Sequence, residues 1–323
     1  MKRVPSFAVL LTLCLVLTTA LNLSAQPLVR VGAMFIAANA PLFLAQDKGL
    51  FAQEGLKVEF IRVRGGAEAI PAIIGGSMEI GFSSYDTIIL ANAQGLEFKI
   101  VASNHHENAY GNPDPAFGYG ASGALLVKKE TDIKKAKDLE GKKVAVNVLN
   151  SIIQFNAKVW MEKKGADPKK VYWLEVPIPA LGPALDGGKV DAIYQLEPFT
   201  TMMKLRGDVR VIDYPAAVVR PNMIMAGYGA SLSYIQKHPD VLEKWARAHK
   251  SAIERLKARP EELTDMLVKY IKIPPEIISR MTLPLWRTGI EMEELQWLAD
   301  YMLEHGALKR KLNVEGIVYA TAR

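Results

Sequence analysis

Thiols are almost absent from this chain. Its single cysteine, Cys14, sits in an apolar stretch near the amino terminus, Phe7 to Leu17. That stretch is short for a membrane span, follows the positive Lys2 and Arg3, and precedes Leu23-Ser24-Ala25, a small-residue cleavage pattern with a poor first position. It reads as an export signal cut near Ala25, which gives a periplasmic protein. Leu13 stands where a lipoprotein signal needs a small residue, which argues against lipid attachment. The mature chain then has no cysteine, so disulfides and thiolate metal sites are excluded. Histidine is scarce as well, with 5 residues and no metal-ligand spacing. No Ser/His/Asp grouping appears, so no catalytic residue, metal or cofactor is expected. An excess of one charge sign is also missing. The formal net charge is +6, and removal of Lys2 and Arg3 with the signal leaves +4. The densest basic run, Lys128 to Lys143, contains Glu130, Asp132, Asp138 and Glu140 and no interleaved aromatics. It reads as a solvated face, and no nucleic-acid partner is expected.

What the chain does have is a repeat. Ala69 to Asp86, AIPAIIGGSMEIGFSSYD, is echoed by Ala180 to Pro198, ALGPALDGGKVDAIYQLEP. Gly75-Gly76 aligns with Gly187-Gly188, 112 residues further on. Each copy reads as an apolar helix, a Gly pair suited to a left-handed helix end, an acid, a short buried strand, then polar residues at the strand's carboxyl end. Val31 to Phe60 is matched more loosely by Val144 to Val176. The chain therefore reads as two similar βαβ lobes, and 323 residues suffice to give each a core.

In chain order, strands are expected at Leu28 to Met34, Leu56 to Val63, Glu79 to Phe82 and Phe98 to Ala102. Helices are expected from Pro41 to near Gly49, Ala67 to Ile74 and Ser84 to Gln94. His105 to Gly123 is a long loop rich in Asn, Gly, Pro and aromatics, taken as the first crossing between lobes. His105 and His106 are read as loop surface. After the strand Gly123 to Val127, the second lobe places strands at Lys143 to Asn147, Val171 to Val176, Val190 to Tyr194 and Val209 to Asp213. Its helices are Ser151 to Lys164, Pro179 to Leu185 and Glu197 to Leu205. The chain crosses back around Arg220 to Tyr228. The remainder is helical, and Trp245, Trp286 and Trp297 are read as core. The division is residues 26–121 plus 226–323 for lobe 1 and 122–225 for lobe 2.

Several stretches then carry a family likeness. Ala40-Pro41-Leu42-Phe43-Leu44-Ala45-Gln46-Asp47-Lys48-Gly49-Leu50-Phe51, followed by Glu54-Gly55-Leu56-Lys57-Val58, resembles the opening of solute-binding proteins of ABC importers. The group is the one that binds sulfonates, taurine, nitrate and thiamine precursors. Asp138-Leu139-Glu140-Gly141-Lys142-Lys143-Val144-Ala145, and Gly188-Lys189-Val190-Asp191-Ala192 with Glu197-Pro198-Phe199, resemble its later motifs. The likeness covers nearly the whole mature chain. It implies a two-lobe periplasmic-binding-protein (Venus-flytrap) fold of the α/β class, with two crossing segments and a C-terminal helical part packed on lobe 1. It also implies a monomer that hands a small-molecule ligand to an ABC permease and its ATPase.

Physical chemistry places the site in the same region, beyond the carboxyl ends of the strands, where helix amino termini offer free N–H groups. The candidate ligand residues are Asn39, Arg64, Gly65, Gly66, Ser83, Ser84 and Tyr85 in lobe 1. In lobe 2 they are Asn150, Ser151, Tyr194, Glu197 and Phe199. Hydroxyls, amides and helix ends favour a small oxyanion, sulfonate or carboxylate. Glu197 and Asp86 favour an amine or aminopyrimidine, and Tyr85, Phe155, Tyr194 and Phe199 suit stacking on a flat ring. The repeat puts Tyr85 and Glu197 in one column, so both are expected to look into the cleft. Two other readings stand beside a binding protein for import: an enzyme of the thiamine-pyrimidine type, which works through its own histidine and iron, and a sensory binding protein that meets no transporter.

Overall fold

The computed structural model describes residues 26–107 and 121–323. The stretch expected to be an export signal, with Cys14, and residues 108–120 of the expected loop lie outside the described residues.

The strands, in chain order, are β1 (Leu28–Ala33), β2 (Lys57–Arg62), β3 (Ile80–Ser84), β4 (Phe98–His106), β5 (Gly123–Lys128), β6 (Lys143–Val146), β7 (Tyr172–Glu175), β8 (Ala192–Leu196), β9 (Val209–Asp213), β10 (Ile224–Ser231) and β11 (Leu285–Trp286). They form two sheets, ordered β11-β4-β10-β3-β1-β2 and β7-β6-β8-β5-β9. Read from opposite ends, the two orders match: β1, β2 and β3 correspond to β6, β7 and β8. In each trio the pairing is parallel, as βαβ units require. Each sheet then takes one antiparallel strand beside the third member of the trio, β10 in the first and β5 in the second. The two lobes are thus the same design, each with one strand laid down after the chain has changed lobes.

The repeat has a visible structural purpose. The helices Gly66–Ile74 and Ile178–Asp186 both end on the Gly pair, and the second glycine takes the left-handed turn, φ +77° at Gly76 and +66° at Gly188. The acid that follows reaches back to the first strand of its own lobe. Glu79 accepts from the Arg30 backbone N–H at 2.6 Å, and Asp191 from that of Lys143 at 2.8 Å. Both acids also donate their own N–H to the same residue's carbonyl. Each acid therefore fastens the edge of the third strand to the start of the first.

The C-terminal helices pack on lobe 1. Pro239–Ala258 lies against Ala40–Asp47, with Trp245 fully buried beside Tyr228. Trp286 is also buried, its indole N–H donating to the Ala38 carbonyl at 2.9 Å. Trp297 departs from the expected core position. It is only partly buried, with the Arg220 guanidinium 4.1 Å above its ring.

Two further departures bear on the site. The segment expected as a plain return crossing is β10, which runs between β3 and β4. Its glycines weaken the strand signal, yet contact demands them: a Cβ on Gly227 would lie 2.5 Å from the Ala102 carbonyl oxygen, and one on Gly229 would lie 2.1 Å from the Phe98 ring. With β10 and β11 both pairing there, β4 continues through His105 and His106. Those histidines are buried in the sheet, not on a loop surface.

Candidate functional site

At the carboxyl ends of β1, β3, β6 and β8 the two lobes meet around a shared cavity. Lobe 1 lines it with Ile36 to Ala38, Gly65 to Ala67, Phe82, Ser84, Thr87 and His105; lobe 2 supplies Asn147, Val148, Ser151 to Ile153, Leu196 and Glu197. Between these lie Glu107 and Ser122, which flank residues 108–120, together with Met225 and Ala226 of β10.

Five of the residues expected at a ligand site line this cavity: Gly65, Gly66, Ser84, Ser151 and Glu197. Gly66 has no alternative, because a Cβ there would fall 1.9 Å from Ser83 Oγ. Ser84 and Ser151 occupy helix-cap positions without capping through their side chains. Ser84 Oγ pairs with Thr87 Oγ1 at 2.9 Å, and Ser151 Oγ donates to the Val148 carbonyl at 2.7 Å.

The other seven are placed elsewhere. Asn39 is fully buried behind the wall, donating to the Met34 carbonyl and accepting from the Tyr228 hydroxyl at 2.7 Å. Ser83 packs beneath Gly66, its hydroxyl on the Ser84 carbonyl. Tyr85 turns into the lobe 1 core and meets Ser103 Oγ at 3.2 Å. Arg64 is exposed and bridges the lobes on the outside, pairing with Glu68 and, at 3.2 Å, with Glu175. Asn150 is exposed at a left-handed turn, with φ +56°. Tyr194 belongs to the lobe 2 core, and Phe199 packs against that core. Asp86 is buried and held by neighbouring hydroxyls, and Phe155 packs edge-on to Tyr301, so neither lines the cavity.

The strongest chemistry comes from a pair of which sequence reasoning found only half. Glu107 accepts from Ser122 N–H at 2.5 Å and from Ser122 Oγ at 2.7 Å. The Ser122 carbonyl in turn accepts from Glu197 N–H at 3.1 Å, so Ser122 joins the two glutamates into one wall. Glu197 accepts from Thr201 N–H and Oγ1, and from the Thr282 N–H of the C-terminal part at 3.4 Å. Its carbonyl accepts from Ala37 N–H, a second link between the lobes. Burial disfavours the charged form and pushes both carboxyls up to about 7. Glu107 was missed because it lay inside the long loop. Its signal was an acid directly after two strand-compatible histidines.

The helices Gly66–Ile74 and Ile152–Lys163 also start at the cavity, one from each lobe. The first N–H groups of a helix have no partner inside it. Asn147 joins the lobes there by donating from Nδ2 to the Arg64 carbonyl at 3.2 Å. His105 is stacked on Phe82 and kept neutral by burial. Its Nδ1 faces Asn104 Nδ2, which also donates to the Ala38 carbonyl, so the imidazole proton sits on Nε2. Among the described residues, no cluster of three His, Cys, Asp or Glu side chains is arranged to hold a metal ion. None of their helices is long and apolar enough to cross a membrane.

Two α/β lobes that meet around a shared cavity define the class: a two-lobe periplasmic-binding-protein fold. Residues 37–263 match the family described as NMT1/THI5 like, and the chain belongs to that family. It is 21% identical over 290 residues to a Bacillus subtilis (strain 168) protein described as an aliphatic sulfonates-binding protein, covering 86% of this chain and 82% of the relative. It is 24% identical over 240 residues to 4-amino-5-hydroxymethyl-2-methylpyrimidine phosphate synthase of Aspergillus parasiticus, covering 71% and 67%. Among solved structures it resembles the alkanesulfonate-binding protein SsuA of Xanthomonas axonopodis pv. citri bound to MOPS. There the TM-score is 0.75 and the identity 17%, over 90% of this chain and 98% of that one. The periplasmic nitrate-binding protein NrtA of Synechocystis PCC 6803 aligns at TM-score 0.71 and 14% identity, over 90% and 84%.

Proposed function

We propose that this protein captures a small organic solute in the cleft between its lobes and delivers it to an ABC import permease and its ATPase from the periplasm. The observation that carries this reading is the cavity lined by both lobes at the carboxyl ends of their strands. A solute that touches both lobes shifts their equilibrium toward the closed form, which is how such a protein signals occupancy. Each helix start at the cavity favours a partial negative charge by about 0.3–1 kcal/mol. The division into residues 26–121 plus 226–323 and residues 122–225 belongs to the same reading. So does cleavage near Ala25, which releases a monomer.

The resemblance to a pyrimidine phosphate synthase keeps an enzyme as the second reading. A thermal-shift screen of the mature chain separates the two. The solutes are sulfonates, carboxylates, nitrate, amines and aminopyrimidines, with mass spectrometry of each after incubation. The binding reading predicts that one class is recovered unchanged and stabilises the protein, by about 2.7 kcal/mol at one hundred times its dissociation constant. Chemical conversion of a solute supports the enzyme instead.

A further inference from the structure

We propose that Glu107 and Glu197, joined through Ser122, form a two-carboxylate clamp that selects a solute bearing a protonated amine over the bare oxyanions named for the relatives. This deepens the solute-binding reading and rests on it. Three observations carry it. The first is charge balance: no Lys or Arg is among the described residues lining the cavity, and the sequence of residues 108–120 contains none. A bare sulfonate or nitrate would meet helix starts and hydroxyls but no cationic side chain, whereas an ammonium would draw the protons off the two carboxyls. The second is geometry. Both glutamates line the cavity and are linked through Ser122, their carboxyls are fixed by donors of the protein itself, and each keeps lone pairs beyond those that Ser122, Thr201 and Thr282 occupy. The third is an independent acceptor. Asn147 is 6% exposed, and the bond from its Nδ2 to a carbonyl fixes its orientation. Its Oδ1 is thereby left as an acceptor that no described residue satisfies. Buried acceptors without donors are costly, and a ligand N–H removes the cost.

An anionic group on the same molecule would sit on the helix starts of Gly66–Ile74 and Ile152–Lys163, which also line the cavity. The charged neighbours of the clamp are few: Lys204 acts weakly on Glu197, while His105 and His106 are held neutral by burial.

The test uses matched probes on the mature protein: ethanesulfonate against 2-aminoethanesulfonate, propionate against 3-aminopropionate, and nitrate alone. Titration calorimetry should show each aminated probe binding at least tenfold more tightly than its partner. E107Q and E197Q, checked for folding by circular dichroism, should each shrink that preference at least tenfold. Calorimetry in buffers of different ionisation enthalpy near pH 7 adds a readout on the wild type. An ammonium between the carboxyls expels their protons, so binding should release protons. An equal or reversed preference, an unchanged preference in both variants, or net proton uptake overturns the clamp while leaving solute binding in place. No binding by any probe or by any screened solute contradicts the solute-binding reading, and the clamp falls with it.

Discussion

The two lobes agree up to the last residue of β3 and β8 and then part. In lobe 1 the helix Tyr85–Ala93 starts on the residue after β3, which rolls Tyr85 into the core. In lobe 2 the helix Phe199–Arg206 starts only after Glu197-Pro198. Those two extra residues hold Glu197 at the cavity, where Tyr85's counterpart column would otherwise have been buried. Upstream, Glu79 and Asp191 do the same fastening job in both copies. At this column the repeat places Tyr85 in the core of one lobe and Glu197 at the cavity from the other.

The largest expected effect lies at the break. Glu107 and Glu197 titrate near 7 in the folded protein, above the unfolded range. Between the two ranges the folded chain holds protons that the unfolded chain has released. Each group's contribution to stability is therefore full below about pH 4 and lost as pH rises through about 7, on the order of 3 kcal/mol apiece. The ligand-free E107Q/E197Q double variant should show a much flatter stability profile from pH 4.5 to 8 by urea denaturation. A slope equal to the wild type's would remove these carboxyls from the account.

Next come the two fasteners. Glu79→Ala should cost about 1.5–3 kcal/mol, since a partly buried carboxylate also holds the Arg30 guanidinium. Asp191→Ala, on a more exposed bond, should cost about 0.5–1.5 kcal/mol. Equal or reversed costs in chemical denaturation would break the parallel.

Tyr85→Phe tests the other side of the divergence. It removes the hydroxyl from Ser103 and should cost about 1 kcal/mol while leaving solute affinity unchanged. A change in affinity would return Tyr85 to the site. The smallest effect belongs to Arg64→Ala. Its exposed pair with Glu175 should contribute less than about 1 kcal/mol, and less still in high salt.

Most of the scaffold was legible because the hydrophobic periods and the Gly-pair helix ends are local signals, and they recur. β10 was not, since Gly227 and Gly229 answer to close approach by Ala102 and Phe98, partners more than a hundred residues away in sequence. The site was legible as a region but only partly as residues. Gly65, Gly66, Ser84, Ser151 and Glu197 follow strands or open helices, and position alone placed them at the cavity. Whether a residue at such a position faces in or out depends on where the helix starts, and one or two residues decide it. Tyr85 and Asn39 show the cost of that ambiguity. Glu107 shows another: its partner is the Ser122 hydroxyl across the crossing, and no local pattern announces it.

The central claim is that a solute draws the two lobes together around the shared cavity. Residues 26–323 contain no cysteine, so in a protein of those residues spin labels can be placed at Glu68→Cys in lobe 1 and Leu174→Cys in lobe 2, both exposed. Electron-spin distance measurement, with and without a saturating solute from the screen, reads the cleft directly. The account predicts a broad or longer distribution in the free protein and a single short distance when the solute is bound. An identical distribution in both samples would contradict it.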